Sequence, residues 1–222
     1  MDSERAFILQ FVEKIVSMIE LIGIVAFAIS GAMVAIQKKL DIFGVIVLGI
    51  TTALGGGVIR DLLLGRVPPM MFQKPIYAIL ATIFAVATFV FACIVGEVKG
   101  KQKELYASII NFLDAIGLGV FAATSVNMVL TNYEHAGIFL SVFMGTVTAV
   151  GGGVLRDMMS NEIPLILKKR IYAIAAIIGS VVYYILWNCN VPFEVTMFSS
   201  IFITVIIRLL AKRYRWNLPT AN

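Results

Sequence analysis

Hydrophobic residues in this chain form long continuous runs, separated by short polar connections. A helix needs about 20 mainly apolar residues to cross the hydrocarbon core of a bilayer. A membrane β-barrel would instead show segments of about ten residues with alternating apolar and polar positions. The runs here are about twice that length, so they predict helices. Seven transmembrane helices are predicted, at residues 15–37, 42–64, 75–96, 106–130, 136–159, 171–188 and 194–211.

The connections between these runs do not divide the chain into separate domains. None is rich enough in Pro, Gly or Ser to be a domain linker. We therefore expect an all-α integral membrane protein with a single membrane domain over residues 1–222. The first run is too long for a cleavable signal peptide, and acidic residues (Asp2, Glu4, Glu13) precede it.

The chain repeats itself with a period of about 95 residues. Residues 49–61 read GITTALGGGVIRD and residues 145–157 read GTVTAVGGGVLRD, and nine of the thirteen positions are identical. The spans therefore form repeat one (15–96), repeat two (106–188) and a seventh helix (194–211). Because each repeat has three spans, repeat two must enter the membrane from the opposite side. Inverted repeats are frequent in transporters, which favours transport or conduction over duplication for packing alone.

Composition agrees with this interpretation and excludes other classes of protein. The chain is 60% hydrophobic and 14% charged, against about 45–50% and about 25% in soluble domains. One histidine argues against a histidine metal site, and the glycine triplets lack the frame of a phosphate-binding Walker loop. We expect no enzyme activity, no metal and no cofactor. The net charge of +5 is expected to face the membrane surface rather than nucleic acid.

Lys and Arg residues near the span ends predict the orientation of the chain. With seven spans, connections one, three and five share a side with the C-terminus, and the other connections share a side with the N-terminus. The first side carries eleven basic residues: Lys38, Lys39, Lys99, Lys101, Lys103, Lys168, Lys169, Arg170, Lys212, Arg213 and Arg215. The second side carries four: Arg5, Lys14, Arg66 and Lys74. This asymmetry predicts a cytoplasmic C-terminus and an external N-terminus.

Three consecutive glycines occur in the second span and again in the fifth. One glycine in a helix interior costs about 1 kcal/mol relative to alanine, so a triplet is expected to loosen or kink its helix. Backbone that opens at membrane depth must be buried in protein or line a water-filled cavity. We predict a break that forms part of a gate, and the alternative is close helix packing. The residues concerned are Gly55, Gly56, Gly57, Gly151, Gly152 and Gly153.

An Arg-Asp pair follows each triplet: Arg60-Asp61 and Arg156-Asp157. Charges inside a membrane are expensive and usually face an interior or an aqueous path. Adjacent helical residues do not face each other, so we expect each to pair with groups elsewhere, such as its repeat mate or a free carbonyl. We predict that all four residues line the pore or its gate. The alternative is that they are helix-end anchors that extend to the interface.

Four polar residues are candidates for the pore mouths. Glu20 and Asp114 occupy equivalent places near the starts of the first and fourth spans. An acid there suits the positive end of a helix dipole, and it could also concentrate cations at each mouth. Ser30 and Thr124 also align, and their hydroxyls could line a path or bond back to the helix backbone.

Taken together, these motifs resemble the prokaryotic branch of the trimeric intracellular cation channel family, also described as a glycine-transporter-like domain family. The resemblance covers residues 15–219 and includes both GGGVxRD motifs and the terminal Arg208…Trp216-Asn217-Leu218-Pro219. Family members commonly have a lysine in the fourth span, where this chain has Asn127 and Met128. This departure puts lysine-dependent lipid binding or gating in doubt for this chain.

The resemblance implies a homotrimer in a bacterial plasma membrane, with an hourglass pore through each subunit. It implies that the second and fifth spans, kinked at their glycines, line and gate this pore, that K⁺ and Na⁺ pass, and that the subunits contact membrane lipids. A permease for glycine or another small neutral solute fits inverted repeats with glycine breaks equally well, because half-helix ends can hold such a solute. A membrane scaffold without flux is the third hypothesis.

Overall fold

The structure is a computed structural model that describes residues 2–96, 101–168, 171–214 and 216. Side chains of residues 2–11, 101 and 168 are not described, so the positions of the Arg5, Lys101 and Lys168 side chains are not given. Some residues used for the orientation and for the terminal motif lie outside the described residues: Lys99, Lys169, Arg170, Arg215, Asn217, Leu218 and Pro219.

All regular secondary structure in these ranges is helical. In chain order the helices are α1 (Asp2–Gln37), α2 (Ile42–Leu63), α3 (Met70–Gln73), α4 (Pro75–Val95), α5 (Lys101–Asn132), α6 (Ile138–Met159), α7 (Leu165–Lys168), α8 (Ile171–Asn188) and α9 (Phe193–Arg213).

Among the described residues, seven of the helices are long and apolar enough to cross a membrane. The predicted all-α fold, with two inverted three-helix repeats and a seventh helix, is confirmed. Helix starts follow local chemistry. The Asp41 carboxylate accepts a hydrogen bond from the Gly44 amide at 2.8 Å before α2, and Pro75 occupies the first turn of α4. Two short helices, α3 and α7, lie in the second and fifth connections and were not predicted.

The two repeats pack around an axis that passes between α1 and α5. Helix α1 contacts α2, α4 and α5, while α5 contacts α6, α8 and α9. Phe27 and its repeat counterpart Phe121 lie side by side, with ring centroids 5.3 Å apart. A Cβ on Gly117 would lie 2.2 Å from the Phe27 ring, so the small residue makes room for the aromatic pair. Equivalent residues therefore meet at the centre, as an inverted repeat requires.

Contacts between connections agree with seven crossings. Lys38 in the first connection pairs with Glu162 in the fifth. The Tyr133 hydroxyl in the fourth connection donates to the Leu64 carbonyl in the second, at 3.3 Å. Odd-numbered and even-numbered connections thus lie at opposite ends of the helices. Which end faces the cytoplasm stays a prediction.

Candidate functional site

Helices α2 and α6 cross at their glycine triplets with almost no space between the two backbones. A Cβ at Gly56 would lie 2.1 Å from the carbonyl oxygen of Thr148, and a Cβ at Gly152 would lie 2.0 Å from the carbonyl oxygen of Thr52. Both obstructing atoms are backbone atoms, which no change of rotamer can move aside. Only glycine fits at these two positions, as at other membrane helix interfaces where backbones approach closely.

The predicted break in these helices is wrong for this structure. Helix α2 continues from Ile42 to Leu63 and helix α6 from Ile138 to Met159, each through its triplet. The unfavourable helix propensity of glycine is offset by packing, because the triplets are the contact surface. All six triplet residues are buried: Gly55, Gly56, Gly57, Gly151, Gly152 and Gly153. The gating role that was predicted for them stays a prediction.

Each arginine that follows a triplet pairs with the aspartate beside it. The Arg60 Nε donates to Asp61 Oδ1 at 2.9 Å, and the Arg156 Nε donates to Asp157 Oδ1 at 2.9 Å. The expectation that adjacent residues would not bond to each other is therefore wrong, although Arg156 and both aspartates also have partners elsewhere, as predicted. An arginine side chain is long enough to bend around the helix to its neighbour. The four residues are buried rather than placed at an interface, which disagrees with the alternative of exposed helix-end anchors.

The two aspartates also form hydrogen bonds to the first residues of α3 and α7, the short helices that the sequence did not predict. The second carboxylate oxygen of Asp61 accepts from the Met70 amide at the start of α3, at 2.8 Å. That of Asp157 accepts from the Leu165 amide at the start of α7, again at 2.8 Å. The sequence contained a signal for these segments, since prolines precede both of them (Pro69 before α3, Pro164 before α7).

In repeat two, the arginine joins three helices. The Nη1 atom of Arg156 on α6 donates to Asp114 Oδ1 on α5 at 2.7 Å and to Ser30 Oγ on α1 at 2.9 Å. Arg156 is 1% exposed and therefore shielded from water. Hydrogen bonds between charged groups are roughly twice as strong as those between neutral groups. The Arg156 network thus ties α6 to both central helices.

In repeat one, the corresponding residues are arranged differently. Glu20, the counterpart of Asp114, accepts a hydrogen bond from the Tyr77 hydroxyl at 2.9 Å. Arg60 Nη1 has no hydrogen-bond partner among the described residues, and neither has Thr124 Oγ1, the counterpart of Ser30 Oγ. The extra methylene of Glu20 lets its carboxylate reach the tyrosine.

A cation lies over the ring of Tyr77 and another over the ring of its counterpart, Tyr172. The Arg208 Cζ on α9 lies 4.7 Å from the ring centroid of Tyr172, and Arg208 is 3% exposed. The Lys74 Nζ lies 5.7 Å from the ring centroid of Tyr77, but Lys74 is exposed. Both contacts have cation–π geometry. Arg208 was not among the predicted site residues, although it is the one basic residue inside the predicted seventh span.

Glu20 and Asp114, which were predicted at the pore mouths, lie inside the protein, and their role in a pore stays a prediction. Both residues are buried, at 6% and 1% exposure. Helices α1 and α5 begin before the predicted spans, at Asp2 and Lys101, so the two acids lie further inside the helices than expected. Both acids and Ser30 belong to the buried polar networks, whereas the Thr124 hydroxyl has no hydrogen-bond partner among the described residues.

The chain matches one family profile over most of its length. The profile, described as glycine transporter, matches residues 17–93 and 111–188. The UPF0126 inner membrane protein YadS of Escherichia coli strain K12 is 37% identical over 203 residues, which are 91% of this chain and 94% of that protein. The UPF0126 membrane protein YvgT of Bacillus subtilis strain 168 is 32% identical over 205 residues, 92% of this chain and 96% of that protein.

Solved structures match the fold over a similar length. One match is a structure that describes conductance through TRIC cation channels. Its sequence is 44% identical to this chain, and the two folds superpose with a TM-score of 0.79 over 93% of this chain and 97% of that one. The trimeric intracellular cation channel orthologue from Rhodobacter sphaeroides is 32% identical with a TM-score of 0.81, covering 91% and 99%. These neighbours are ion channels, so the comparisons point to transport rather than to catalysis.

Proposed function

We propose that the chain, which belongs to the glycine transporter family, is a monovalent cation channel that conducts K⁺ and Na⁺. The observation that carries the proposal is the likeness, over nearly the whole chain, to solved TRIC cation channels. A bacterial plasma membrane is its proposed location, because relatives are inner membrane proteins and seven described helices are suited to crossing a bilayer.

The proposed conduction path follows the buried charges between the helices that meet at the centre. Arg60 and Asp61 on α2 are at one end of the α2–α6 crossing, and Arg156 and Asp157 on α6 are at the other. Burial of a charged side chain costs several kcal/mol, and the ion pairs of Arg60 and Arg156 offset this cost without a clear net gain over apolar residues. A purely structural helix crossing would therefore gain little from them. A polar path for ions through each subunit accounts for their presence.

The gate of this path is proposed to be the Arg156 network. Its hydrogen bonds to Asp114 and Ser30 hold α6 against α5 and α1, so an opening that separates these helices must break them. At Gly56 and Gly152 the two helices meet backbone to backbone, while the Leu155 and Ile59 side chains pack against Gly55 and Gly151. Sliding of α2 past α6 would therefore have to move these two side chains.

The assembly and orientation are proposals of the same kind. A homotrimer with one pore per subunit is proposed because a solved relative is a trimeric channel. Apolar side chains such as Phe198 and Phe202 on α9 are exposed and would face lipid or neighbouring subunits. The basic residues favour a cytoplasmic C-terminus and an external N-terminus. A fluorescent reporter on the C-terminus should be active in the cytoplasm, and activity of a periplasm-only reporter there would contradict this orientation.

Reconstitution into liposomes tests conduction directly. Purified protein in planar bilayers should give unitary K⁺ currents, while the same preparation in liposomes should take up no labelled glycine in a saturable manner. Vesicles that lack the protein are the control. Saturable glycine uptake without currents would instead indicate a permease, and the absence of both would indicate a scaffold.

The permease hypothesis loses one of its supports in this structure. It relied on half-helix ends at the triplets to hold a carboxylate and an ammonium group. Because α2 and α6 are continuous, their backbone amides near the triplets are already committed to helical hydrogen bonds. No second function is proposed on this basis.

Variants of the acids test the proposed gate. Asp114→Asn weakens the bond between α5 and α6 and should raise the open probability of single channels. Glu20→Gln is the matched control, because Glu20 forms no ion pair with Arg60 among the described residues. Equal open probabilities in the two variants would contradict a gate at Arg156, even if both conduct.

A further inference from the structure

We propose that Arg60 and Thr124 form a binding site for one small monovalent anion, either chloride or a carboxylate of the size of formate. The proposal does not depend on conduction of cations, because it rests on two buried polar atoms and on their counterparts in repeat two. It also assigns a different task to Arg60 than to Arg156, although both follow the same motif.

Arg60 has a donor that the rest of the described chain does not use. Its Nε donates to Asp61, but its Nη1 has no partner in the described structure, and the residue is only 1% exposed. A guanidinium remains charged in proteins and carries five N–H donors. A buried charged donor without an acceptor is costly, so an acceptor at Nη1 would be bound favourably.

The hydroxyl of Thr124 is also unused, which is unusual among the buried threonines of this chain. Thr52 and Thr148 each donate to a carbonyl one turn earlier in their own helix, at 2.6 Å. Thr124 is fully buried, yet its Oγ1 has no partner among the described residues. Its hydroxyl is therefore available as a second donor to the same acceptor.

Repeat two contains the same pair of groups with an acceptor present. There Arg156 Nη1 lies 2.9 Å from Ser30 Oγ, the counterpart of the Thr124 hydroxyl, and 2.7 Å from Asp114 Oδ1. The Arg156 guanidinium donates to both oxygens, so the atom that corresponds to Arg60 Nη1 has a carboxylate acceptor in repeat two. The counterpart acid in repeat one, Glu20, is bound to the Tyr77 hydroxyl instead.

The segment that follows α2 contacts α5 one helical turn from Thr124, which agrees with this correspondence. Arg66, which follows α2, places its Nη1 3.2 Å from the Sδ of Met128, one helical turn beyond Thr124 on α5. The inverted repeat therefore brings the Arg60 guanidinium to the part of α5 that carries Thr124, as it brings Arg156 to the part of α1 that carries Ser30.

The chemistry of the pair selects an anion and limits its affinity. A guanidinium N–H and a hydroxyl can both donate to one acceptor, and a hydrogen bond from the charged guanidinium is strongest when that acceptor is negatively charged. Asp61 and Glu20 act electrostatically on each other and on Arg60, so their negative charges oppose a bound anion. Binding should consequently be weak and limited to a small ion that occupies the place of one carboxylate oxygen.

Thermal unfolding in detergent tests the site without a conduction assay. The melting temperature of the wild-type protein is measured at constant Na⁺ while gluconate is replaced by chloride or, separately, by formate. A ligand that binds only the native state raises the melting temperature in a saturable manner. Saturation with chloride alone indicates a halide site, and saturation with formate as well indicates a general small-anion site.

The variant Thr124→Val removes the hydroxyl and keeps the shape of the side chain. It should raise the half-saturating anion concentration about tenfold or more, the effect of one lost hydrogen bond to a charged ligand. Thr88→Val is the matched control, because Thr88 on α4 donates only to its own helix, to the Phe84 carbonyl at 2.7 Å. The control should respond to chloride as the wild type does.

Bromide locates the site even if Thr124→Val fails to fold. Crystals of the wild-type protein grown in bromide should show an anomalous peak within hydrogen-bond distance of Arg60 Nη1 and Thr124 Oγ1. A water molecule there without an anomalous peak would overturn the proposal. Identical chloride dependence in Thr124→Val and the wild type, or no saturable dependence in the wild type, would also overturn it.

Discussion

The two Arg-Asp sites have the same local motif and differ in the further hydrogen-bond partners of the arginine. In both, the arginine bonds to the neighbouring aspartate, and the aspartate holds the start of a short helix. In repeat two the Arg156 guanidinium also binds Asp114, whereas in repeat one Glu20 bonds to Tyr77 and leaves Arg60 Nη1 without a partner in the described structure. The longer acid in repeat one and the shorter acid in repeat two thus have different partners, and different polar atoms are left unpaired among the described residues.

The tyrosine hydroxyls also differ between the two sites, but here the one with a hydrogen-bond partner is in repeat one. Tyr77 donates its hydroxyl to Glu20, while the hydroxyl of Tyr172 has no partner among the described residues. The shorter Asp114 remains with the arginine, and a buried arginine from α9 covers the Tyr172 ring. The seventh helix, which has no repeat mate, therefore completes one site only. The duplicated sequence thus leaves different polar atoms without a partner among the described residues: Arg60 Nη1 in repeat one, and the Tyr172 hydroxyl and Asp114 Oδ2 in repeat two.

The largest expected effect separates the two arginines. Arg156→Gln removes the partner of two buried carboxylates and should lower the free energy of unfolding by about 3–5 kcal/mol. Arg60→Gln removes the partner of one carboxylate, so its effect should be smaller by about 1–3 kcal/mol. Denaturation in mixed micelles measures both, with Arg66→Gln as a control in a connection. Equal losses of unfolding free energy in Arg60→Gln and Arg156→Gln would show that the additional partners of Arg156 do not stabilise the protein.

The second comparison concerns the glycines, for which the two repeats should behave alike. Gly56→Ala and Gly152→Ala each place a Cβ about 2 Å from a backbone oxygen of the opposite helix, and overpacking of this kind costs about 3 kcal/mol. Both variants should lose a similar amount of thermal stability. Gly137→Ala is the control, because nothing lies within 4 Å of a Cβ at that position. A strong effect at only one triplet would contradict the symmetry of the crossing.

A third pair of variants should differ by a smaller amount. Tyr77→Phe removes a hydrogen bond to a buried carboxylate and should cost about 1.5–3 kcal/mol of unfolding free energy. Tyr172→Phe removes a hydroxyl without a partner in the described structure and should be neutral or slightly stabilising. The two substitutions are chemically identical, so each is the control for the other. A loss at Tyr172 as large as at Tyr77 would refute the difference between the sites.

The smallest expected effect is at the surface. Lys38 and Glu162 pair across the odd-numbered connections, but their side chains are 36% and 44% exposed, and exposed pairs contribute about 0.2–1 kcal/mol. The coupling energy from a double-mutant cycle with Lys38→Met and Glu162→Gln should lie in this range and should decrease with salt. A coupling energy above about 2 kcal/mol would contradict the small contribution that is expected of an exposed ion pair.

Sequence alone determined the architecture of this protein. The lengths of the apolar runs predicted the seven spans, and the repeated GGGVxRD motif identified the inverted repeats and the family. Both properties can be recognised along the chain, because a span depends on local hydrophobicity and a repeat on residue identity.

Only the tertiary structure decided the arrangement of the sites. The glycine triplets were expected to break their helices, and a partner backbone about 2 Å from a Cβ position explains why they pack instead. The choices of Glu20 for Tyr77 and Asp114 for Arg156, and the arrival of Arg208 from α9, depend on distances between separate helices. The pattern of residues along a single helix contains no information about these distances between helices.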